Sequence, residues 1–424
     1  MGKYKMFKKK EKEEKKEENN ILNRKARRDV FEDKKNKKKE NNNNDNNNET
    51  ICLNNNKPII KKQKTFYGLY EKLILTCIFS VFASWLIRWI LILDTNHHVH
   101  PHHPLSCYQG SLKEPLVSMM VVDEIEMILY FTEKGQVYGS EFEKKDLINE
   151  IAMDWKKETE KRLKIKSATY YGINFKVYFY VVNEKIYNDE IVVFVWDQKY
   201  SRIIYNSRFM IPQIPRISSL GAIGFNRLYI VSSFHFSDNS LMKIIEILSS
   251  IKYGSLYFYD GKEAKKIING LSYPKDVVID NKRNRLFIGE VIGRSIKAYN
   301  IKPDFNIEES SDINTILSSP NKLFIDKNTG DVWCISYIYL WKKIYNLLST
   351  INNSSNKTFD GERKVHRIRF QDENMKTWIT TEPFADNGNY FPYANDISIY
   401  DDQLILTSNT NGVLYCPKLN MKII

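Results

Sequence analysis

The fold is decided by residues 253–300, which read YGSLYFYDGKEAKKIINGLSYPKDVVIDNKRNRLFIGEVIGRSIKAYN. Within this stretch, five short runs are rich in Val, Ile, Tyr or Phe, residues that suit a half-buried pleated surface. The runs are Ser255–Tyr259, Ala264–Ile268, Asp276–Ile279, Arg285–Gly289 and Ser295–Tyr299. Turn residues such as Gly261 and Pro274 separate them, without a helical period. The stretch therefore predicts consecutive antiparallel strands of a sandwich, barrel or propeller.

The same pattern continues on both sides, from Cys107 to Cys416. Further strand candidates are Glu126–Thr132, Lys176–Asn183, Glu190–Asp197, Arg202–Tyr205, Arg227–Ser232, Leu323–Ile325, Asp331–Ile335, Val365–Phe370, Asp396–Tyr400 and Gln403–Thr407. Divided into four-stranded units, this region of 310 residues gives six blades of about 50 residues each. We therefore predict an all-β domain at residues 107–424, a six-bladed β-propeller with a few inserted helices.

Two segments have helical patterns. Ile148–Leu163 is charged and amphipathic, and Asn239–Ile251 presents one apolar face. That face has its apolar residues at i, i+3, i+4 and i+7, namely Leu241, Ile244, Ile245 and Leu248. The second helix is expected either to pack on the β domain or to act as a lid or membrane-facing element.

A candidate membrane span precedes the β domain. Residues 73–93 read LILTCIFSVFASWLIRWILIL, and 21 residues at 1.5 Å each can cross a hydrocarbon core of about 30 Å. The one charge, Arg88, lies near the outer end and can reach the headgroups, as can Trp85 and Trp89. Lysines flank the inner side, so the positive-inside rule places the N-terminus in the cytosol. We predict a single-pass signal anchor, with the propeller in the endoplasmic reticulum lumen or outside the cell.

Most of the net charge of +13 lies before this span. Residues 1–72 contain 22 Lys and Arg against 12 Asp and Glu, so the remaining chain is nearly neutral. Nucleic-acid binding by the β domain is therefore not expected. Residues 1–60 are of low complexity with few apolar side chains, and we predict a disordered, basic cytosolic tail over 1–72. This tail is either simply solvated or in contact with anionic lipid headgroups.

The segment between span and propeller, residues 94–106, contains the run HHVHPHH at 97–103. It is expected to be a polar spacer, with metal binding or pH sensing as alternatives. Cys107 opens the following domain and Cys416 nearly closes it, so a disulfide between them would join the ends of the ring in an oxidising compartment. Cys334 lies in an apolar run and is expected to be a buried free thiol. Glycosylation sequons at Asn352, Asn353 and Asn356 fit the same compartment.

Several of these pieces resemble the paraoxonase/arylesterase family. They include Ile325-Asp326-Lys327-Asn328-Thr329-Gly330-Asp331-Val332-Trp333, Ala385-Asp386-Asn387-Gly388 and Val413-Leu414-Tyr415-Cys416. The resemblance implies a six-bladed propeller, a retained N-terminal hydrophobic segment and a disulfide between the domain ends. It also implies a lactone- and aryl-ester-hydrolysing enzyme with a central calcium ion.

The family's site residues are not retained at the matching positions. Its calcium-ligand positions fall on Met119, Met120, Pro215, Arg216, Lys275, Asn321 and Lys322. Its two histidine positions fall on Tyr171 and Glu184. Calcium prefers six to eight oxygen ligands, and of these calcium positions only Asn321 has a side-chain oxygen. We therefore expect neither the calcium site nor the esterase chemistry, with the Lys and Arg side chains paired instead with Asp276, Asp280 or Asp326.

Other catalytic patterns do not replace the lost one. The sequence has no G-x-S-x-G elbow. His366 is expected to be a surface or ladder residue of a strand, and His235 precedes the predicted helix. Two functions remain open. The first is a non-catalytic binding or assembly factor for other membrane proteins, such as channel subunits, as the resemblance to anchored family members implies. The second is a hydrolase with a remodelled site using Glu184, Tyr171 or Asp276.

Overall fold

The structure is a computed structural model of the 424-residue chain. It describes residues 59–93, 99–104, 106–112, 114–144, 147–155, 163–185, 188–214, 216–234, 240–249, 251–316, 318–339, 342 and 361–416. By its contacts the chain divides into two compact units, Met1–Ala83 and Ser84–Ile424.

One long helix, α1 (Ile59–Leu93), begins the described part of the chain. Its apolar window, Tyr70–Trp89, is 20 residues long, which is enough to cross a membrane. Large apolar side chains such as Leu75, Ile78 and Phe79 are exposed along it. This helix and the disulfide described below indicate a protein of the secretory pathway, with a helix that can serve as signal or anchor.

The β domain is a six-bladed β-propeller, as predicted. Blade 1 contains β2 (Leu116–Val122), β3 (Met127–Thr132), β4 (Val137–Glu141) and β5 (Asn149–Ile151). Blade 2 contains β7 (Ile165–Ile173), β8 (Lys176–Asn183), β9 (Glu190–Asp197) and β10 (Arg202–Met210), with β6 (Met153–Asp154) parallel at its edge. Blade 3 contains β11 (Ser219–Gly224), β12 (Arg227–Ser232), β13 (Gly254–Tyr259) and β14 (Ala264–Leu271).

The remaining blades repeat the same antiparallel meander. Blade 4 contains β15 (Pro274–Asp280), β16 (Arg285–Glu290), β17 (Ser295–Ile301) and β18 (Ile307–Ile313). Blade 5 contains β19 (Ser319–Ile325), β20 (Val332–Tyr337), β21 (Arg363–Phe370) and β22 (Trp378–Asp386). Blade 6 contains β23 (Ala394–Tyr400), β24 (Gln403–Ser408), β25 (Gly412–Cys416) and β1 (Tyr108–Gln109).

Blade 6 closes the ring because it takes strands from both ends of the domain. β1 pairs with β25, with Tyr108 opposite Tyr415. A disulfide joins Cys107 to Cys416, 309 residues apart in sequence. Each inner strand contacts the next around the axis, in the order β2, β7, β11, β15, β19, β23 and back to β2. The ring therefore has no open blade edge at the axis.

The hydrophobic core consists of layers between neighbouring blades. Phe131, Phe179 and Phe194 pack between blades 1 and 2, and Phe287 and Cys334 pack between blades 4 and 5. All five side chains are fully buried, because alternate residues of a propeller strand face the two adjacent blades. Cys334 is a buried free thiol, as predicted.

Two faces of the propeller follow from the direction of the inner strands. The inner strands begin at what we call the helix face, which carries the connections between second and third strands, including α2 (Ser240–Ser249) and residues 291–294. They end at the turn face, which carries turns such as residues 174–175 and 225–226. The helix predicted at Asn239–Ile251 is confirmed as α2.

The end of α1 packs on the helix face. The indole N–H groups of Trp85 and Trp89 donate to the carbonyl oxygen of Leu248, at 2.8 and 2.7 Å. Trp89 also lies in a buried cluster with Ile247, Val291 and Ile292. One face of α2 is thereby covered, while Ile245 on the same helix remains half exposed.

The other predicted helix, Ile148–Leu163, is wrong over its first part, where the structure has β5 and β6. Ile151 of β5 pairs with Val137 of β4 and is buried in the first core layer. Pairing with an existing strand edge and burial outweigh the weak intrinsic preference of a charged segment for helix. Residues 156–162 lie outside the described part of the chain.

Candidate functional site at the propeller axis

A cavity of about 470 Å³ follows the propeller axis. Its walls come from the inner strands β2, β7, β11, β15, β19 and β23. Charged side chains occur both within it, at Lys322 and Asp396, and at the turn face, at Lys327 and Glu124. The inner charges form what we call the axial cluster: Lys322, Asp276 and Asp396.

The ammonium group of Lys322 occupies the centre of the axial cluster. Its Nζ lies 3.2 Å from Oδ1 of Asp276, and the two side chains are 19% and 2% exposed. Burial alone would lower the pKa of Lys322, but Asp276 and Asp396 outweigh that effect and the pKa is raised. Lys322 is therefore charged at every physiological pH.

Both carboxylate oxygens of Asp276 accept hydrogen bonds. Besides Lys322, it accepts a hydrogen bond from the backbone N–H of Leu323 at 2.8 Å and another from the hydroxyl of Ser219. These partners belong to blades 5 and 3, while Asp276 belongs to blade 4. The carboxylate therefore links three consecutive blades.

Asp396 joins blade 6 to blade 1. Its Oδ2 accepts from the backbone N–H of Met119, and its Oδ1 accepts from its neighbour Ile397, both at 2.8 Å. Burial raises the pKa of Asp396 to about 6, although Lys322 and the Met119 amide act in the opposite direction. This carboxyl group changes charge close to neutral pH.

The residues at the axis do not fit a calcium ion. Met119 and Met120 are buried thioethers in β2, and Lys322 carries a positive charge where a divalent cation would be held. The amide of Asn321 is already used: Oδ1 accepts from the hydroxyl of Tyr337 at 2.7 Å, and Nδ2 donates to the carbonyl of Asn395 at 3.2 Å. Within the described residues, no group of three or more His, Cys, Asp or Glu is arranged to hold a metal.

The other predicted calcium positions lie apart from the cluster or contribute no ligand. Arg216 donates to the carbonyl of Lys185 at 2.6 Å and to Asp189 at 3.2 Å. Lys275 is partly exposed in β15. Pro215 lies outside the described residues. The expected pairing of basic residues with Asp276, Asp280 or Asp326 is confirmed for Lys322, which pairs with Asp276, and is wrong for Arg216, whose acceptor is Asp189.

The two positions of the family's histidines are not brought together as a pair. Tyr171 in β7 lines the axial cavity, whereas Glu184 is not among the residues that line it. Glu184 forms an ion pair with Lys164, with 2.6 Å between Oε2 and Nζ. Burial acts to raise the pKa of Glu184, but Lys164 outweighs it, so the pKa is lowered and the group is a weak base.

A second polar site lies away from the axis, around His366. A cleft of about 520 Å³ is bordered by Ser318, His366, Trp378 and Glu382. Nε2 of His366 lies 2.8 Å from the hydroxyl of Ser318, and the ring is 3% exposed. Burial lowers the pKa of His366 to about 4, so the ring is neutral at pH 7. His366 is a ladder residue of β21, opposite Cys334, as one of the two alternatives expected. The other alternative, a surface position, is wrong because the ring is buried.

Two histidines of the predicted spacer also pack on the propeller. His102 pairs through its backbone with Ala385 of β22, and the ring of His103 stacks on Tyr390 with centroids 4.0 Å apart. His97 and His98 are outside the described residues, as are His235 and the sequon residues Asn352, Asn353 and Asn356.

Fold and site together define a class: a disulfide-closed, six-bladed β-propeller of the secretory pathway with a polar cluster on its axis. Residues 147–418 match the family described as Arylesterase, which is more than half of the chain. The chain belongs to the arylesterase, or paraoxonase, family, and the resemblance found in the sequence is confirmed.

Two relatives and one solved structure illustrate the range of similarity. The chain is 24% identical over 360 residues to Mechanosensory abnormality protein 6 of Caenorhabditis elegans, covering 79% of this chain and 92% of that protein. It is 17% identical over 240 residues to Serum paraoxonase/lactonase 3 of Homo sapiens, covering 57% and 64%. A solved luciferin-regenerating enzyme shares 13% identity with a TM-score of 0.45, covering 72% of this chain and 91% of that one.

Proposed function

We propose that this chain is a membrane-anchored, non-catalytic member of the paraoxonase family that binds other membrane proteins and helps them to assemble. The observation that carries the proposal is the position of Lys322. Its ammonium group pairs with Asp276 at the axis, where the family places a calcium ion. The cluster is thus held together by a charge that is part of the chain.

The proposed topology follows from the apolar window of α1. Residues 1–72 form the cytosolic tail, residues 73–93 span the membrane once, and residues 94–106 connect to the propeller at 107–424. The propeller lies in the endoplasmic reticulum lumen or outside the cell, where the Cys107–Cys416 disulfide is stable.

The side chains at the family's calcium-ligand and base positions support the proposed loss of catalysis. Hydrolysis by the family requires a calcium ion to stabilise negative charge on the reacting oxygen and a base to activate water. At the axis of this chain, thioethers and an ammonium group stand at ligand positions, and the base positions are a tyrosine and an ion-paired glutamate. Tyr171 and Glu184 therefore do not replace the family's histidine pair.

The binding role is inferred from the family resemblance, which implies that anchored members act in the assembly of ion channels. Mechanosensory abnormality protein 6 aligns with this chain over 92% of its own length. A rigid propeller with turns on both faces also offers broad surfaces to a partner.

Calorimetry with calcium on the full chain in detergent tests the loss of the metal. We expect no heat of binding at micromolar calcium, and a stoichiometric binding curve would overturn the non-catalytic assignment. In parallel, affinity purification from native membranes should recover other membrane proteins, while Tyr70–Trp89 alone, fused to a reporter, should not. Recovery of the same proteins by this control would contradict the assembly role.

A second candidate function is a lactonase or arylesterase with a remodelled site, and one observation favours it. Asp396 lines the axial cavity and has a pKa of about 6, which suits a general base at neutral pH. Of the alternatives from the sequence, Asp276 and Glu184 are committed to ion pairs and only Tyr171 faces the cavity. Turnover of aryl esters or lactones that Asp396→Asn abolishes would favour this function.

A further inference from the structure

The turn face of the propeller carries exposed aromatic side chains that the axial cluster does not use. Phe175 in the β7–β8 turn is fully exposed, Tyr200 in the β9–β10 turn is 60% exposed, and Phe225 in the β11–β12 turn is 46% exposed. The rings of Tyr178 and Phe225 lie 4.6 Å apart, which joins the turns of blades 2 and 3 into one surface. We call Phe175, Tyr200 and Phe225 the aromatic patch.

The backbone at Phe175 is strained in a way that its packing does not explain. Asn174 and Phe175 form a two-residue hairpin turn with φ values of 49° and 60°, because Ile173 pairs with Lys176. Such turns favour Asn-Gly, and a bulky side chain at positive φ is an outlier. Strain of this kind is commonly found at functional sites.

A second phenylalanine provides the comparison. Phe305 also has a positive φ, of 63°, but its ring stacks on Phe258 at 5.1 Å and lies under the guanidinium of Arg227 at 4.9 Å. Packing therefore accounts for the strained Phe305. Within the described residues, no ring or cation contact accounts for Phe175 in the same way.

The surroundings of the aromatic patch are positively charged. Its three turns, residues 172–176, 198–202 and 224–227, contain four basic side chains and no acidic one. The basic residues are Lys176, Lys199, Arg202 and Arg227. Two carboxylates adjoin these turns: Asp197, which pairs with Arg202 at 3.1 Å, and Glu124, which lies against Gly172. The four basic side chains therefore exceed the acidic ones by two.

We propose that the aromatic patch docks a partner protein whose contact surface has an apolar pocket bordered by Asp and Glu. Aromatic residues and Arg are enriched at the centres of protein interfaces, and charge complementarity selects an acidic border. A membrane surface is disfavoured because Trp89, the last residue of the apolar window, packs on the opposite, helix face. This inference rests on the proposed binding function and specifies the surface that performs it.

Photocrosslinking in the full, membrane-embedded chain tests the surface. A benzoylphenylalanine is placed at position 175 and, as a control, at Ile379, which is 38% exposed on the outer strand of blade 5. We expect at least tenfold more adduct with one other protein from position 175. Mass spectrometry should place the crosslink in a segment that contains Asp or Glu. Equal adducts from both positions would overturn the proposal.

The variant Phe175→Gly separates docking from folding. It creates the Asn-Gly turn that this hairpin favours, so the fold should be retained and the thermal midpoint should not fall. Affinity for the purified crosslinked protein should decrease at least tenfold, and Arg227→Glu should reduce both the affinity and its salt dependence. Unchanged affinity of Phe175→Gly would refute the docking surface.

Three further results have defined meanings. An adduct between two copies of this chain would replace the proposal with self-association, and Phe175-dependent binding to phosphatidylserine vesicles would replace it with a lipid surface. If Phe175→Gly still co-purifies the same membrane proteins, the docking surface is wrong and the binding function stands. If neither the unmodified chain nor Phe175→Gly co-purifies any membrane protein, the proposed binding function is wrong.

Discussion

At the scale of single residues, the axial cluster joins neighbouring blades through one lysine and two buried aspartates. A calcium ion at a propeller axis holds acidic side chains of several blades by direct coordination. Here Lys322 supplies the positive charge, and backbone amides of Leu323 and Met119 satisfy the remaining carboxylate oxygens. The result is a charge cluster in which the positive charge and both carboxylates belong to the chain itself.

Lys322→Met should destabilise the propeller by about 3–5 kcal/mol, because it leaves Asp276 and Asp396 buried without their counter-charge. It should also raise the pKa of Asp396 further, since Lys322 acts to lower it. The free energy of unfolding in urea provides the measurement. Lys282→Met, at the exposed end of the same cavity, is the control and should change stability by less than about 0.5 kcal/mol. Equal effects of the two variants would show that the ion pair is dispensable.

His366 should make stability dependent on pH. Its folded pKa of about 4 lies below the ordinary value of 6.5, so the unfolded state binds the proton more tightly. The contribution of the neutral ring is fully present above pH 6.5 and is lost as pH falls toward 4, by about 3 kcal/mol in total. In His366→Gln, the free energy of unfolding measured between pH 4 and 7.5 should lack this decrease on acidification.

The pKa shift of Asp396 changes stability with pH in the opposite direction to that of His366. Asp396 therefore serves as an internal comparison. Its raised pKa means that its contribution is greatest below pH 4 and decreases as pH rises toward 6. Asp396→Asn should therefore steepen the loss of stability on acidification, whereas His366→Gln should flatten it. The same pH profile in the wild type and His366→Gln would contradict the assignment.

At the scale of elements, strands could be predicted from sequence and the site could not. Alternating Val, Ile, Tyr and Phe between turn residues identified β13 to β17 to within three residues at each end, because burial on a pleated sheet imposes that pattern. The helix predicted at 148–163 is wrong at Ile151, because this residue pairs with β4 and the local sequence pattern does not show which strand lies beside it.

The axial cluster escaped prediction for a physical reason. Asp276 and Lys322 are 46 residues apart, and their contact exists only because two inner strands run side by side. The resemblance identified Lys322 as unsuited to calcium, and its partner was correctly included among three candidate aspartates. Asp396 was missed because the family's calcium positions do not include it, and the buried hydrogen bond of His366 was missed because alternation alone does not say which blade a strand faces.

The contact between α1 and α2 makes a prediction at this scale. Trp89→Ala removes a buried ring and its hydrogen bond to Leu248, so α2 should open more often. Hydrogen exchange of the backbone amides of 241–249 should accelerate at least tenfold. Trp89→Phe keeps a smaller aromatic ring in the cluster and loses the hydrogen bond, so it should have a smaller effect. If exchange in α2 is unchanged by Trp89→Ala, the contact does not stabilise this helix.

At the scale of the whole molecule, the stability of the ring depends on how its first and last strands are joined. β1 pairs with β25 over two residues, and the hydroxyl groups of Tyr130 and Tyr415 lie 2.8 Å apart in a buried hydrogen bond beside it. So short a pairing is weak by itself. The Cys107–Cys416 disulfide restricts the unfolded chain over a very long loop, where the entropic effect is largest.

Cys107→Ser should therefore lower the free energy of unfolding by about 5 kcal/mol. The double variant with Cys416→Ser should show the same loss, because one bond is removed in either case. Chemical denaturation of the full chain under oxidising conditions measures both. Cys77→Ser, an exposed free thiol of α1, is the matched control. A loss no greater than that of the control would mean that β1 closes the ring without the disulfide.

Ring closure also sets an order of events during synthesis. In the proposed topology, Cys107 enters the lumen 309 residues before Cys416, which at 5–20 residues per second is an interval of about 15–60 s. During that time Cys107 is a free thiol in an oxidising compartment, and the next cysteine to arrive is Cys334, an incorrect partner. In the folded blade 5, Cys334 is fully buried inside the sheet layers. We expect this burial to keep the maturing chain from forming the wrong disulfide once blade 5 has folded.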